Sequence, residues 1–280
     1  MSDTIVVIPC FNEAQRLGAG AFDRFARATH AVRLMLVNDG SRDATLQTLH
    51  ELAARQPSRC TVVDLGANHG KAEAVRRGML CALAEQPAFV GYWDADLATP
   101  LEAILDFRDV LVRRGEIDLV VGSRIPLLGH AIARRPVRRL LGRTFARVAS
   151  TVLRLPLYDT QCGAKLFRNR PRTAAALAQP FTARWTFDVE ILARLVRMHR
   201  DGGDRAPASS LYEFPLEQWR DVPGSKLKGR DFVTAIGEIA RVWWRYLRPA
   251  APVYAAPTLP FPQPDAPDAD RATVPLRRAA

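Results

Sequence analysis

The chain has 280 residues, 48% of them hydrophobic, and a formal net charge of +11. That is enough apolar material for a sizeable core, and with no run of about 18 or more apolar residues and no basic leader before an apolar segment, neither a transmembrane helix nor a signal peptide is expected. The expected location is cytoplasmic, and the positive charge points to an anionic partner: nucleic acid, an acidic membrane surface or a phosphorylated substrate.

Residues 4–8 (TIVVI) form an apolar, β-branched run that predicts a first strand, closing in Pro9, Cys10, Phe11, Asn12 and Glu13 before a stretch of helical period. Leu34 to Val37 predicts a second strand, which ends in Asn38, Asp39, Gly40 and Ser41 and leads into a helix from about Asp43 to Arg55. Cys60 to Leu65 is the third, and the loop behind it places Gly70 and Lys71 at the mouth of another helix. The fourth, Phe89 to Trp93, runs into Asp94 and Asp96. Thr99, Pro100 and Glu102 then have the spacing of an N-cap, a proline at the first helical position and a capping-box acid. Asp118 to Val121 is the fifth strand and closes in Gly122, Ser123 and Arg124.

Strands that are near-continuous apolar runs and alternate with helices predict an α/β fold, a mostly parallel sheet covered on both faces. Ligands of such sheets bind beyond the carboxyl ends of the strands, and a polar cluster follows each of the five strands. Side chains two apart on a strand project the same way. Asp94 and Asp96 would then point together as half a cage for Mg²⁺ or Mn²⁺, cations that take their other oxygens from water and substrate phosphates. The competing reading is a pair of turn aspartates capping a helix. Cys10, Cys60, Cys81 and Cys162 show no CxxC pairing and no zinc spacing, and are read as reduced, packed thiols.

From His130 to Leu155 the chain carries Arg134, Arg135, Arg138, Arg139, Arg143, Arg147 and Arg154 and no acidic residue. Within it, Val137 to Leu153 has the period of a basic amphipathic helix lying in a membrane interface. A second stripe, Phe232 to Leu247, includes Trp243 and Trp244 opposite Arg241 and Arg245. For both stretches the alternative is ordinary core packing. Residues 249–280 hold eight prolines and no periodicity, and read as a disordered tail. Nucleic-acid binding would also account for the charge, but no RNP-type aromatic motif, zinc module or helix-turn-helix pattern accompanies it.

The successive stretches VVIPCFNE, VNDGSRDAT, NHGKAEAVRRGM, WDADLATP, VVGSR, DTQCGAKLF and RWTFDVEIL resemble the motifs of family 2 glycosyltransferases of GT-A fold, in particular the dolichyl-phosphate glucosyltransferases, with polyprenyl-phosphate mannosyltransferases as near relatives. The resemblance spans roughly residues 3–230. It implies a GT-A domain over 1–248, with a nucleotide-sugar part at 1–125, an acceptor and membrane-interface part at 126–248, and the tail beyond. It also implies that Pro9, Asn12, Glu13, Asp39, Gly40 and Ser41 surround the nucleotide, and that Lys71 meets the nucleobase or a phosphate unless it is a solvated surface lysine. Asp96 would contact the metal, and Asp94 the sugar, the ribose or the metal's water shell. Arg124 would meet the acceptor phosphate. Arg139, Gln161, Ser225 and Lys226 are assigned to the acceptor side with it, the last two on a loop able to close over the diphosphate. Ala98 stands where the mannosyl relatives place a glutamine ligand, which favours the glucosyl branch.

The expected activity is inverting, metal-dependent transfer of a hexose, glucose from UDP-glucose, to a polyprenyl phosphate at the cytoplasmic membrane face. Asp188 separates this from a rival. A hydroxyl acceptor must lose a proton and would use Asp188 as general base, whereas a phosphate monoester, with a second pKa of about 6, needs none. A further rival is a basic peripheral membrane or nucleic-acid-binding protein with a vestigial site.

Overall fold

The computed structural model describes residues 3–133, 136–202, 207–222 and 229–249, and the side chains of these except 136–141 and 229–233. Ser225, Lys226, the side chain of Arg139 and the tail from residue 250 lie outside the described residues.

The first half of the chain runs β1 (Thr4–Cys10), α1 (Ala19–Ala28), β2 (Val32–Asn38), α2 (Thr45–Arg55), β3 (Cys60–Asp64), α3 (Lys71–Ala84), β4 (Phe89–Trp93), α4 (Ala103–Arg113) and β5 (Leu119–Ser123). It continues with β6 (Ala131–Ala133), α5 (Pro136–Leu153), β7 (Ala164–Arg168), α6 (Pro171–Leu177), α7 (Phe187–Gly202), β8 (Leu211–Pro215), β9 (Gln218–Arg220) and α8 (Gly229–Val242), which passes into a π-helical turn at Trp243–Leu247.

Among the described residues, seven strands make one sheet in the order β3-β2-β1-β4-β7-β5-β8, and β6 pairs with β9 beside it. All pairings are parallel except those of β7, which runs antiparallel to both β4 and β5. The apolar runs explain the layering. In β1, Ile5 and Val7 face one core with α3 and α7, while Val6 and Ile8 face another with α1, α2 and α4. Gly78 lets α3 lie close on the sheet, because a Cβ there would come within 2.5 Å of a Val7 methyl and 2.7 Å of a Val37 methyl.

Two features of this topology place a site. The sheet order reverses between β1 and β4, the position where a crevice opens beyond the strand ends. Because β7 is antiparallel, its first residues lie against the last of β4, with Trp93 opposite Ala164.

The capping-box expectation for α4 is not met. Thr99 is buried and its carbonyl accepts from Trp93 Nε1 at 3.0 Å, so the residue serves the core. Residues 100–102 instead form tight i+3 turns, with Ala103 N on Pro100 O at 3.3 Å and Ile104 N on Leu101 O at 3.0 Å, and the helix begins at Ala103. Over the described side chains of α5, Phe145, Ala149 and Leu153 are buried in the protein core, as the core-packing alternative has it, whereas Arg143, Arg147 and Val148 are exposed and the side chains of Val137, Leu140 and Leu141 lie outside the described residues. In α8 and its π-turn, Ala235, Ile239, Val242 and Tyr246 face inward, whereas Ile236, Trp243 and Trp244 are 44%, 41% and 60% exposed. Among the described residues no helix is long and apolar enough to cross a membrane.

Candidate active site

Asp94 and Asp96 lie just past β4 in a turn, with Leu97 N reaching Asp94 O at 3.4 Å and Leu97 in the left-handed region at φ +55°. Both carboxylates therefore follow β4 in a turn, where the strand alternation assumed from the sequence no longer sets their direction. Asp94 N donates to Gly163 O at 3.0 Å, and a Cβ on Gly163 would fall 2.0 Å from an Asp94 carboxylate oxygen. Only glycine at the head of β7 leaves room for this carboxylate.

Burial and the charge of Asp94 raise the Asp96 carboxyl above its ordinary range, although Ala98 N donates to it at 3.0 Å. Two like charges in one turn, one of them disfavoured by burial, form an environment that a divalent cation would relieve. Among the described residues no third Asp, Glu, His or Cys completes a cage. A pair of carboxylates suits Mg²⁺ or Mn²⁺, which take their remaining ligands from water and phosphates.

Lys71, the first residue of α3, pairs with Asp94 at 2.5 Å while remaining 46% exposed. Burial would lower its ammonium pKa, but the charges of Asp94, Asp188 and Asp96 outweigh that and hold it raised. The structure thus joins Lys71 to the Asp94 turn.

The other nucleotide-side candidates mainly hold loops. Asp39 is buried, and its carboxylate accepts from His69 N at 2.7 Å and Gly70 N at 2.9 Å, tying the end of β2 to the start of α3. Gly40, at φ +64°, is needed for its own chain's sake, since a Cβ there would strike the Ala67–Asn68 backbone at 2.4 to 2.6 Å. Asn12 N donates to Ser41 Oγ at 3.1 Å, Arg42 N to Asn12 Oδ1 at 2.9 Å, and Glu13 N to Thr45 Oγ1 at 2.8 Å. These cross-links lock the loops behind β1 and β2 together. Pro9, the residue before the last of β1, lies opposite Val37.

On the far side, Arg124 follows β5 and is gripped by Asp159 through Nε at 2.5 Å and Nη2 at 2.8 Å, with its guanidinium 5.2 Å from the Trp219 ring centroid. Asp159 and Tyr158 are in turn fixed by Glu213 of β8 at 2.7 and 2.9 Å. Gln161 N caps onto Asp159 at 3.2 Å. Cys162 is buried, and burial pushes its thiol up to about 11, so it remains a protonated packing group rather than a nucleophile.

Asp188, in the first turn of α7, is 5% exposed and accepts from Lys165 Nζ at 2.5 Å and from the Tyr92 hydroxyl. Lys165 is fully buried and also donates to Cys162 O at 2.7 Å. Burial and the Asp188 charge together push the Tyr92 phenol far above its usual range, so it stays a proton donor. Sequence reasoning missed Lys165, Tyr92 and Asp159, and it placed Gly163 in an acceptor-side turn with Gln161 and Cys162 rather than against Asp94. A lysine inside the apolar run AKLF was the one available signal, since a charge in a buried strand requires a partner.

The family model for Glycosyl transferase family 2 matches residues 5–169. The dolichyl-phosphate beta-glucosyltransferase of Dictyostelium discoideum is 28% identical over 256 residues, covering 86% of this chain and 74% of its own. The enzyme of the same name from Drosophila melanogaster is 29% identical over 259 residues, with the same two coverages of 86% and 74%. Among solved structures, glucosyl-3-phosphoglycerate synthase from Mycobacterium tuberculosis, in complex with Mn²⁺, UDP-glucose and phosphoglyceric acid, superposes with a TM-score of 0.62 at 18% identity, covering 87% of this chain and 80% of that one. At that identity the likeness establishes the fold, which is of GT-A type.

Proposed function

This chain belongs to glycosyl transferase family 2, and on that premise we propose that it moves a hexose, glucose from UDP-glucose, to a polyprenyl phosphate at the cytoplasmic membrane face, with inversion at the anomeric carbon. The observation that carries the choice of acceptor is the state of Asp188. Its carboxylate is the buried counter-ion of Lys165 and accepts from Tyr92, an arrangement poor for a general base, which must be within reach of the proton it takes. A phosphate acceptor is already a nucleophile at neutral pH. Names of relatives in which dolichyl phosphate is the acceptor support the same reading.

In this reading Asp96, with Asp94 beside it, would hold the divalent cation, which supplies charge neutralisation at the leaving nucleoside diphosphate. Lys71 is placed to exchange its Asp94 contact for a phosphate oxygen. The Asp39, Asn12 and Ser41 cross-links fix the loops against which the nucleoside rests. Arg124, oriented by Asp159 and Trp219, would offer its remaining donors to the acceptor phosphate, for which a guanidinium fork is suited. The exposed Trp243 and Trp244 with Arg241 and Arg245 form the surface through which the protein would approach an anionic leaflet.

The test is to incubate the protein and Mg²⁺ or Mn²⁺ with a panel of sugar nucleotides, with and without a polyprenyl phosphate, and to measure nucleoside diphosphate release. Release from UDP-glucose that depends on the lipid phosphate is expected. Transfer only to sugar hydroxyls, abolished by Asp188→Asn in a protein that still folds, would overturn the reading in favour of a base mechanism.

A further inference from the structure

Between α6 and α7 every backbone N–H from Thr182 to Thr186 ends on a buried carboxylate. Thr182 N and Ala183 N donate to Glu190 Oε2 at 2.9 and 2.8 Å. Arg184 N donates to Glu238 Oε1 at 3.0 Å, and Trp185 N and Thr186 N donate to Glu238 Oε2 at 3.1 and 2.9 Å. The hydroxyls of Thr182 and Thr186 add one bond each, at 3.0 and 2.9 Å. Glu190 is on α7 and Glu238 on α8, so two separate helices each contribute a carboxylate, 0% and 3% exposed respectively, to a segment of five residues. Burying a carboxylate is costly unless several donors compensate it. Here the donors are the segment's own amides, so its backbone has little freedom left.

What this rigid segment holds outward is the pair Arg184 and Trp185, both exposed. Arg184 Nη2 lies 3.9 Å from where a Cβ on Gly70 would be, next to Lys71 and so beside the Asp94 turn. Among the described residues its guanidinium has no hydrogen-bond or ion-pair partner. Lys71, Arg124 and Lys165 are each already paired, with Asp94, Asp159 and Asp188 respectively.

Resting on the glycosyltransferase reading, we propose that Arg184 is a phosphate-binding residue of this site and that Glu238, with Glu190, is the positioning residue that presents it. A guanidinium with free donors, carried on a fixed backbone, matches phosphate oxygens, which bind it by two parallel bonds. Two phosphates meet in this site, the donor diphosphate and the acceptor monophosphate, and the experiment separates them.

The probes are UDP with Mn²⁺, titrated calorimetrically, and a short-chain polyprenyl phosphate in detergent, followed by steady-state kinetics. Arg184→Ala should leave the unfolding midpoint unchanged, because the side chain is exposed and unpaired. It should weaken UDP about tenfold or more if the diphosphate is the ligand, or raise KM for the lipid phosphate by a similar factor with UDP affinity intact if the acceptor is. Arg184→Lys should recover part of the loss. Glu238→Gln should reproduce the same selective loss, in KM or UDP affinity rather than uniformly in kcat. Arg184→Ala without effect on either ligand overturns the assignment, whether or not Glu238→Gln folds. An effect of Arg184→Ala that Glu238→Gln, folded, does not share overturns the positioning role. A wild-type protein that binds no nucleoside diphosphate and turns over no sugar nucleotide overturns the function and this inference together; normal wild-type turnover with an indifferent Arg184→Ala overturns this inference alone.

Discussion

The turn that carries Asp94 and Asp96 and the polar layer behind it that carries Asp159, Asp188 and Glu190 use the same chemical group in opposite ways. In the layer each carboxylate is nearly inaccessible and meets cations or amides on fixed elements: Arg124 for Asp159, Lys165 for Asp188, Arg194 at 2.7 Å for Glu190. In the turn, among the described residues, Asp96 accepts from the Ala98 amide and Asp94 pairs with the half-exposed Lys71, and the charge of Asp94 disfavours ionisation of Asp96. In the proposed function, the difference separates groups that hold the fold from groups that would take a ligand. It also turns the role of Asp188 from a question of motif into one of how many donors it already serves.

The largest effect should come from the saturated side. Asp188→Ala leaves Lys165 charged, buried and without its carboxylate, and removing one partner of a buried pair costs about 3–5 kcal/mol. Urea unfolding at neutral pH would register it as a lower midpoint at unchanged slope. A cost below about 1 kcal/mol would mean the pair is not a structural one.

Asp96→Asn tests the opposite side. Turnover should fall about a hundred- to a thousandfold, equivalent to roughly 3–4 kcal/mol of transition-state stabilisation. Stability should hold or rise. Because the folded Asp96 carboxyl is raised, its ionised form is disfavoured by folding, and at neutral pH a neutral side chain removes that penalty. A variant that loses stability as Asp188→Ala does would break the contrast.

Gly163→Ala probes where the two regions meet. A methyl there overlaps the Asp94 carboxylate, so the turn or the head of β7 must shift. Overpacking of this kind costs about 1–3 kcal/mol. Activity should fall further than stability, since the displaced group is Asp94 itself; assays of turnover and thermal unfolding on the same sample compare the two.

The sequence made one of these regions far more legible than the other. β1 to β5 are apolar runs closed by polar clusters, so their succession along the chain, the placement of Asp39, Asp94 and Arg124 just past strand ends and that of Lys71 at a helix start could be read directly. β7 and β8 could not, because Lys165 and Glu213 interrupt their patterns and only tertiary partners, Asp188 across 23 residues and the Tyr158–Asp159 backbone across 55 and 54, justify burying them. β6 and β9 are three residues each, too short for any period. The same limit applied within the site. A motif located Asp39 and Arg124, but whether their side chains are free or engaged depends on His69, Gly70 and Asp159, which folding brings near. Leu97 in the left-handed region likewise made a turn where alternation had suggested a strand.

Glu73 lies between the two extremes and gives the smallest and most graded test. It occupies the first turn of α3, two residues after Lys71, is 18% exposed at its side chain, and accepts from Arg76 at 2.7 Å and Arg77 at 2.8 Å. Burial alone would raise its carboxyl, but the Arg76 and Arg77 bonds outweigh burial and leave it lowered from the ordinary 4.5. A lowered carboxylate contributes stability above its unfolded pKa and loses that contribution as pH falls through the folded value. Glu73→Gln should therefore cost about 0.5–1 kcal/mol at pH near 7, the range of an exposed to part-buried helical pair near a helix start. Arg76 keeps its bond to Leu177 O at 3.2 Å, so the helix stays anchored to α6 in the variant. The gap between wild type and variant should narrow steadily as urea unfolding is repeated at pH values below 4.5, the ordinary carboxyl value. If the gap instead persists unchanged into acid, the Arg76 and Arg77 contacts are not what stabilises this turn, and donor count would fail as a guide for the intermediate case.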